Sequence, residues 1–269
     1  MYPEEGAAVR AALDSYGLIR DGGKAAAIIA PHGAWELSGA AAMAAFSAAA
    51  GRARGEQKKC STVVILGSIH GYEKRGLFLS DSRFFETPLG RLPVDSRLSE
   101  ELASCSTLFE INDIPHLREH SIEVLLPFIQ YCFEGVKIVP ILMGQSRGDL
   151  AGGSGKALIA GLGRALHIVF KRRLDKTLFV VSSNLSRNND EGQALVQAEE
   201  YLRLLEERSP KDFTAAVLQG RLSACGAPLM AALLESGLLD HTTVKPVSGP
   251  LVKAAEKEET IYCGSIAFI

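Results

Sequence analysis

The chain has 269 residues, 47% of them hydrophobic, and 29 basic side chains against 31 acidic ones give a formal net charge of −2. That profile excludes disorder, collagen-like repeats and coiled coil as descriptions of the whole. The near-neutral balance also argues against a dedicated nucleic-acid binder, which carries a strong basic excess or a basic stripe.

In chain order, the opening MYPEEGAAVRAAL lacks the basic-then-apolar layout of a secretory signal. Ala26–Ala30 is the first short apolar run expected as a buried strand, and Pro31-His32-Gly33-Ala34-Trp35 follows it. A helix is expected over Ser38–Ala50, whose alanine-rich part is well short of the roughly 20 residues that span a bilayer. Thr62–Leu66 predicts the second strand, and Gly67-Ser68-Ile69-His70-Gly71 comes after it. From Gly76 to Asp95 the Pro and Gly spacing predicts hairpin or edge-strand structure.

The cluster Glu119-His120-Ser121-Ile122-Glu123 opens an amphipathic helix with Ile122, Leu125, Leu126 and Ile129 on one face, and Pro127 is expected to kink or shorten it. Lys137–Met143 predicts the third strand and Leu150–Lys171 a helix, with Gly152 to Lys156 as a loop or helix start. Thr177–Val181 is the fourth strand, followed by Ser182-Ser183-Asn184-Leu185-Ser186-Arg187 and a helix over Glu191–Glu207. Cys225 precedes Gly226, Ala227, Pro228 and the helical run Leu229–Glu235, and Thr260 to Ile269 reads as a final strand. Strand–helix alternation predicts an α/β fold with a mainly parallel central sheet covered by helices on both faces. No linker-like run divides the chain, so residues 1–269 are expected to form a single domain.

Ligands of open α/β sheets bind beyond the carboxyl ends of the strands. Two of the six histidines, His32 and His70, stand there, each beside a glycine that would let the backbone turn tightly or approach a ligand. One strand-end histidine is more often structural; two at equivalent places give a functional pair equal standing. Glu119–Glu123 fits a helix cap as well as a polar site. Cys225 at a helix start suits metal ligation or reactivity, although alone it also fits a small buried hydrophobe. Cys60, Cys105, Cys132 and Cys263 have no such neighbours, and the absence of a C-x-x-C pair among five scattered cysteines predicts reduced, cytoplasmic usage. No phosphate loop, G-x-S-x-G elbow or H-E-x-x-H motif is present.

Taken together, APHGAW-x-x-SG, LGSIHG, TPLGRLPVD, EHSIEVLLPF, VPILMG, VSSNLS and CGAPL resemble, in this order, the Memo family. This is the B component of the system that also contains AMMECR1-like and radical-SAM members. The resemblance runs from about Ala30 to the final strand and implies a fold similar to class III non-haem iron extradiol dioxygenases. It also implies a pocket in which His32, His70 and Cys225 match metal-ligand positions. Two imidazoles and a thiolate suit iron, copper or zinc rather than magnesium or calcium.

Three departures accompany it. The related dioxygenases use two histidines and a glutamate, and a thiolate beside an O₂-activating metal is open to oxidation. The usual H-A-G-Y/W order reads His32-Gly33-Ala34-Trp35 here, and the usual S-S-D-x-S-H reads Ser182-Ser183-Asn184-Leu185-Ser186-Arg187. Asn184 removes a negative charge, and Arg187, if directed inward, would disfavour a cation and favour a carboxylate or phosphate.

Two functional readings of the site follow, and a third in which it has none. One is a non-haem metal-dependent oxidoreductase or redox protein of unknown substrate, with His32, His70 and Cys225 as ligands and His120 and Glu119 as acid–base or supporting groups. The other is a metal-free binding module or adaptor in which Trp35, Asn184 and Arg187 hold an anionic small molecule or peptide. A fold with a decayed site that acts through subunit contacts is a third. By resemblance the expected partners include radical-SAM and AMMECR1-like proteins, and neither a nucleic acid nor a membrane is expected.

Overall fold

The computed structural model describes residues 2–19, 23–53, 60–71, 74–144, 153–248, 252–256 and 259–269. The chain begins α1 (Gly6–Ser15), β1 (Ala27–Ala30), α2 (Trp35–Ala50), β2 (Thr62–Ser68), β3 (Gly76–Leu79), β4 (Phe84–Thr87), β5 (Gly90–Pro93) and α3 (Ser96–Cys105). It continues β6 (Phe109–Ile111), α4 (Ile114–Arg118), α5 (Leu126–Cys132), β7 (Lys137–Gly144), α6 (Ser154–Phe170), β8 (Thr177–Ser182) and β9 (Ser186–Asn188). The last elements are α7 (Glu191–Glu206), α8 (Pro210–Leu218), α9 (Ala227–Glu235), β10 (Val244–Pro246), β11 (Val252–Glu256), β12 (Glu259–Cys263) and β13 (Ile266–Phe268).

The four apolar runs expected as strands form the middle of an eight-stranded sheet ordered β10-β13-β1-β8-β2-β7-β3-β6. β1, β8, β2 and β7 are mutually parallel, with Val64 opposite Phe179 on one side and Val139 on the other. Such strands are buried on both faces, which is why they read as continuous apolar runs. Alternate side chains serve alternate layers. Ile29, Val64, Leu66 and Val181 pack under Leu158 and Leu162 of α6 and Met230 and Leu233 of α9. Ile28, Val63, Ile65 and Val180 pack under Met43 and Phe46 of α2 and Phe128 of α5. Each such fully buried side chain is worth about 1.5–3 kcal/mol over leaving it exposed.

The Gly76–Asp95 stretch divides into both expected forms: β3 joins the main sheet antiparallel to β7, and β4 and β5 make a separate hairpin. The tail is two strands rather than one, since β12 pairs with β9 and β11 in a small sheet and β13 pairs with β1 in the large one. Pro127 does not kink a helix. It lies in the first turn of α5, after a 3₁₀ turn over Glu123–Leu125, where its missing N–H breaks no helical bond. The helix expected from Leu150 is described from Ser154, and residues 150–152 lie outside the described residues. No described helix is long and apolar enough to cross a membrane.

Candidate metal centre

Parallel strands end at one edge of the sheet, and that edge gathers the polar segments. His32 is two residues beyond β1, and His70 is two residues beyond β2. The pairing of Ala30 with Ser182 sets the end of β8 beside His32, whose Nδ1 is 2.8 Å from Ser182 Oγ. Cys225 arrives from the far side of the chain, directly ahead of α9, and Ser68 Oγ donates to its carbonyl at 2.6 Å. Gly226 permits that approach, because a Cβ there would lie 2.5 Å from Ser183 Cβ and 2.8 Å from Ser182 O.

One ligand atom from each of His32, His70 and Cys225 lies within 4.8 Å of the others, and Cys225 Sγ is 3.5 Å from His32 Nε2. Nitrogen and sulfur ligands about 2.0–2.3 Å from a tetrahedral ion stand roughly 3.3–3.6 Å apart. The donor set and its spacing therefore fit a transition-metal ion.

Glu119, on the turn after α4, is only 4% exposed and fully engaged. It accepts from the His70 backbone N–H at 2.5 Å, from His70 Nδ1 at 3.0 Å, and from the backbone N–H groups of His120 and Ser121 at 2.9 Å each. An ionised carboxylate only accepts, so His70 Nδ1 carries a proton and its Nε2 is the atom left for a ligand. Burial would raise the Glu119 pKa, but the His70 ring and these N–H groups hold it at about 2. Burial would lower that of His70, but Cys225 and Glu119 raise it to about 10. Cys225 follows the same pattern: burial opposes ionisation, yet His32 and His70 hold the thiol well below its ordinary pKa. Cys225 and His70 thus each favour the charged form of the other.

His120 has its side chain 45% exposed and its Nδ1 3.2 Å from Glu119 Oε1, with its ring centroid 5.5 Å from that of His70 and 5.9 Å from that of His32. Asn184 Oδ1 accepts the Cys225 backbone N–H at 3.0 Å and lies 3.3 Å from Sγ, so it braces the cysteine. Two expected binding residues have other partners. Trp35 is 3% exposed, donates its indole N–H to the Val124 carbonyl, and packs against Phe128. Arg187, placed by the pairing of β9 with β12, forms an ion pair with Glu259, which neutralises the charge expected to face the pocket. Gly33 and Gly71 have no positive φ; a Cβ at Gly33 would lie 3.3 Å from Ser38 Oγ, and one at Gly71 would meet nothing closer than 4.0 Å. Ser121 and Ser182, expected only as part of a helix-capping cluster and of a strand-end segment, are both buried beside the site.

The fold and site define a class: an α/β protein whose parallel strand ends carry a pocket of two imidazoles and one thiolate. The family model described as Memo-like protein matches residues 1–245, and the chain belongs to the Memo family. A MEMO1 family protein of Thermotoga maritima is 32% identical, covering 82% of this chain and 77% of its own. MEMO1 family proteins of Pyrobaculum aerophilum and Nitrosopumilus maritimus are 30% and 27% identical, covering 92% and 90% of this chain and 84% of each relative. The crystal structure of an uncharacterized Escherichia coli K12 protein matches with a TM-score of 0.47 at 13% identity, over 77% of this chain and 84% of that one.

Proposed function

We propose that this chain is a metal-dependent redox protein or oxidoreductase whose centre is held by His32, His70 and Cys225. The observation that supports it is the convergence of their ligand atoms within 4.8 Å, with Cys225 Sγ and His32 Nε2 at 3.5 Å. Two nitrogens and a thiolate favour iron, copper or zinc, and such an ion would supply a Lewis acid or, for iron and copper, an electron carrier. Three protein ligands leave a position for a substrate atom, as catalytic sites do.

The surrounding residues divide the remaining work. Glu119 is buried and saturated with donors, so it positions His70 and does not shuttle protons. His120 is the half-exposed imidazole at the mouth, placed to give or take a proton on a small molecule bound there. The anion-holding alternative has less support, because its principal cation, Arg187, is already paired with Glu259.

Metal analysis of protein purified anaerobically without chelators tests the proposal. About one equivalent of iron, copper or zinc per chain is expected, falling to background in His70→Ala and in Cys225→Ala. Metal content unchanged in both variants would contradict it.

A further inference from the structure

A serine hydroxyl has one proton, and that decides which way a run of bonds beneath the site points. Ser182, fully buried at the end of β8, has its Oγ 2.5 Å from the Ser121 carbonyl and 2.8 Å from His32 Nδ1. A carbonyl oxygen only accepts, so the single Ser182 proton goes to Ser121. Toward His32 the same oxygen is then an acceptor, and Nδ1 must carry the hydrogen. The lone pair of the neutral ring is left on Nε2, the atom 3.5 Å from Cys225 Sγ.

The run continues in the same sense. Ser121 Oγ donates to the Ser68 carbonyl at 2.9 Å, and Ser68 Oγ donates to the Cys225 carbonyl at 2.6 Å. Three hydroxyls, each with its proton committed, thus tie the His32 ring to the strand end before His70 and to the backbone of Cys225. His70 is held differently, by a carboxylate. His32 depends on a neutral hydroxyl whose direction is imposed by the Ser121 carbonyl.

We propose that Ser182 is a positioning residue that keeps the proton of His32 on Nδ1 and presents Nε2 to the ligand position beside Cys225. This rests on the metal-centre reading above. Outer partners of this kind commonly change metal affinity by about 10–100-fold.

Two readouts on the full chain test it. Nitrogen–proton correlation spectra of ¹⁵N-histidine-labelled, metal-free protein show which ring nitrogen of His32 is protonated, and Nδ1 is expected to keep its hydrogen in the wild type. Ser182→Ala should allow the Nε2–H tautomer and weaken cobalt(II) binding, followed by thiolate-to-cobalt absorption, by about 10–100-fold, with Ser182→Thr restoring both. A bare Nδ1 in the wild type overturns the positioning claim even if the Ala variant does not fold. So does a folded Ser182→Ala that keeps both the tautomer and the cobalt affinity. A wild type that binds no cobalt and no other transition metal overturns the metal-centre reading, and the metal-positioning role of Ser182 with it.

Discussion

At the scale of single residues, Glu119 shows how a buried charge is made tolerable. Its carboxylate accepts from two groups of His70 and two further backbone N–H groups, which replace the water it has lost. Glu119→Gln keeps the shape but turns an amide NH₂ toward donors, so we expect a loss of about 1–3 kcal/mol in unfolding free energy. It should also reduce metal affinity, because a neutral amide oxygen is a weaker acceptor for the His70 ring than a carboxylate. Denaturant titration and a metal-binding isotherm on one preparation check both, and an unchanged isotherm would remove Glu119 from the centre. Glu119 and His120 stood out together in the EHSIE motif, but their different surroundings were not legible there. Nothing in the order of residues says that the carboxylate is buried among its donors while the adjacent His120 imidazole, 3.2 Å from it, stays half-exposed. The departures at Asn184 and Arg187 were legible too, yet the partner of Arg187 is Glu259, 72 residues away, and only the pairing of β9 with β12 brings them together.

At the scale of elements, the site depends on how closely α9 approaches the end of β8. A Cβ at Gly226 would stand 2.5 Å from Ser183 Cβ, 2.7 Å from Ser183 Oγ and 2.8 Å from Ser182 O. Gly226→Ala must push the helix start, and Cys225 with it, away from the strand. We expect it to destabilise the protein by about 1–3 kcal/mol and to weaken metal binding. Gly71→Ala, beside His70 but with open space around it, is the matched control and should leave the unfolding midpoint within experimental error. Equal effects of the two changes would argue against this packing. The main strands were readable because a strand buried on both faces is an uninterrupted apolar run. The edge pieces were not: β9 and β10 have three residues each, too few for a period to show. The helices α1, α3 and α8 were also overlooked. In the tail, Gly264 and Ser265 separate two strands that belong to different sheets, a division set by their partners and not by local preference.

At the scale of the whole molecule, burial of titratable groups links stability to acid. His116 is 9% exposed, and neither ring nitrogen has a hydrogen-bond partner among the described residues. Burial, which outweighs the attraction of Asp113, lowers its pKa from 6.5 to about 4. The unfolded chain therefore binds a proton that the folded one resists, and stability falls as pH drops from 6.5 toward about 4. Glu119, held at about 2 against an ordinary 4.5, adds a second loss below pH 4.5. Unfolding midpoints of the metal-free protein should decline through both windows, and His116→Phe should flatten the upper one while leaving the lower. A His116→Phe profile parallel to the wild type from pH 6.5 to 4 would show that this ring is not responsible.

In the proposed centre, two strand-end histidines and a helix-start cysteine bind a single metal ion. X-ray absorption at the K-edge of the metal retained after anaerobic purification tests it most directly. We predict one sulfur neighbour at about 2.3 Å and two imidazole nitrogens at about 2.0–2.1 Å, with the sulfur shell absent in whatever metal Cys225→Ala retains. A first shell of oxygen and nitrogen alone in the wild-type protein would contradict it.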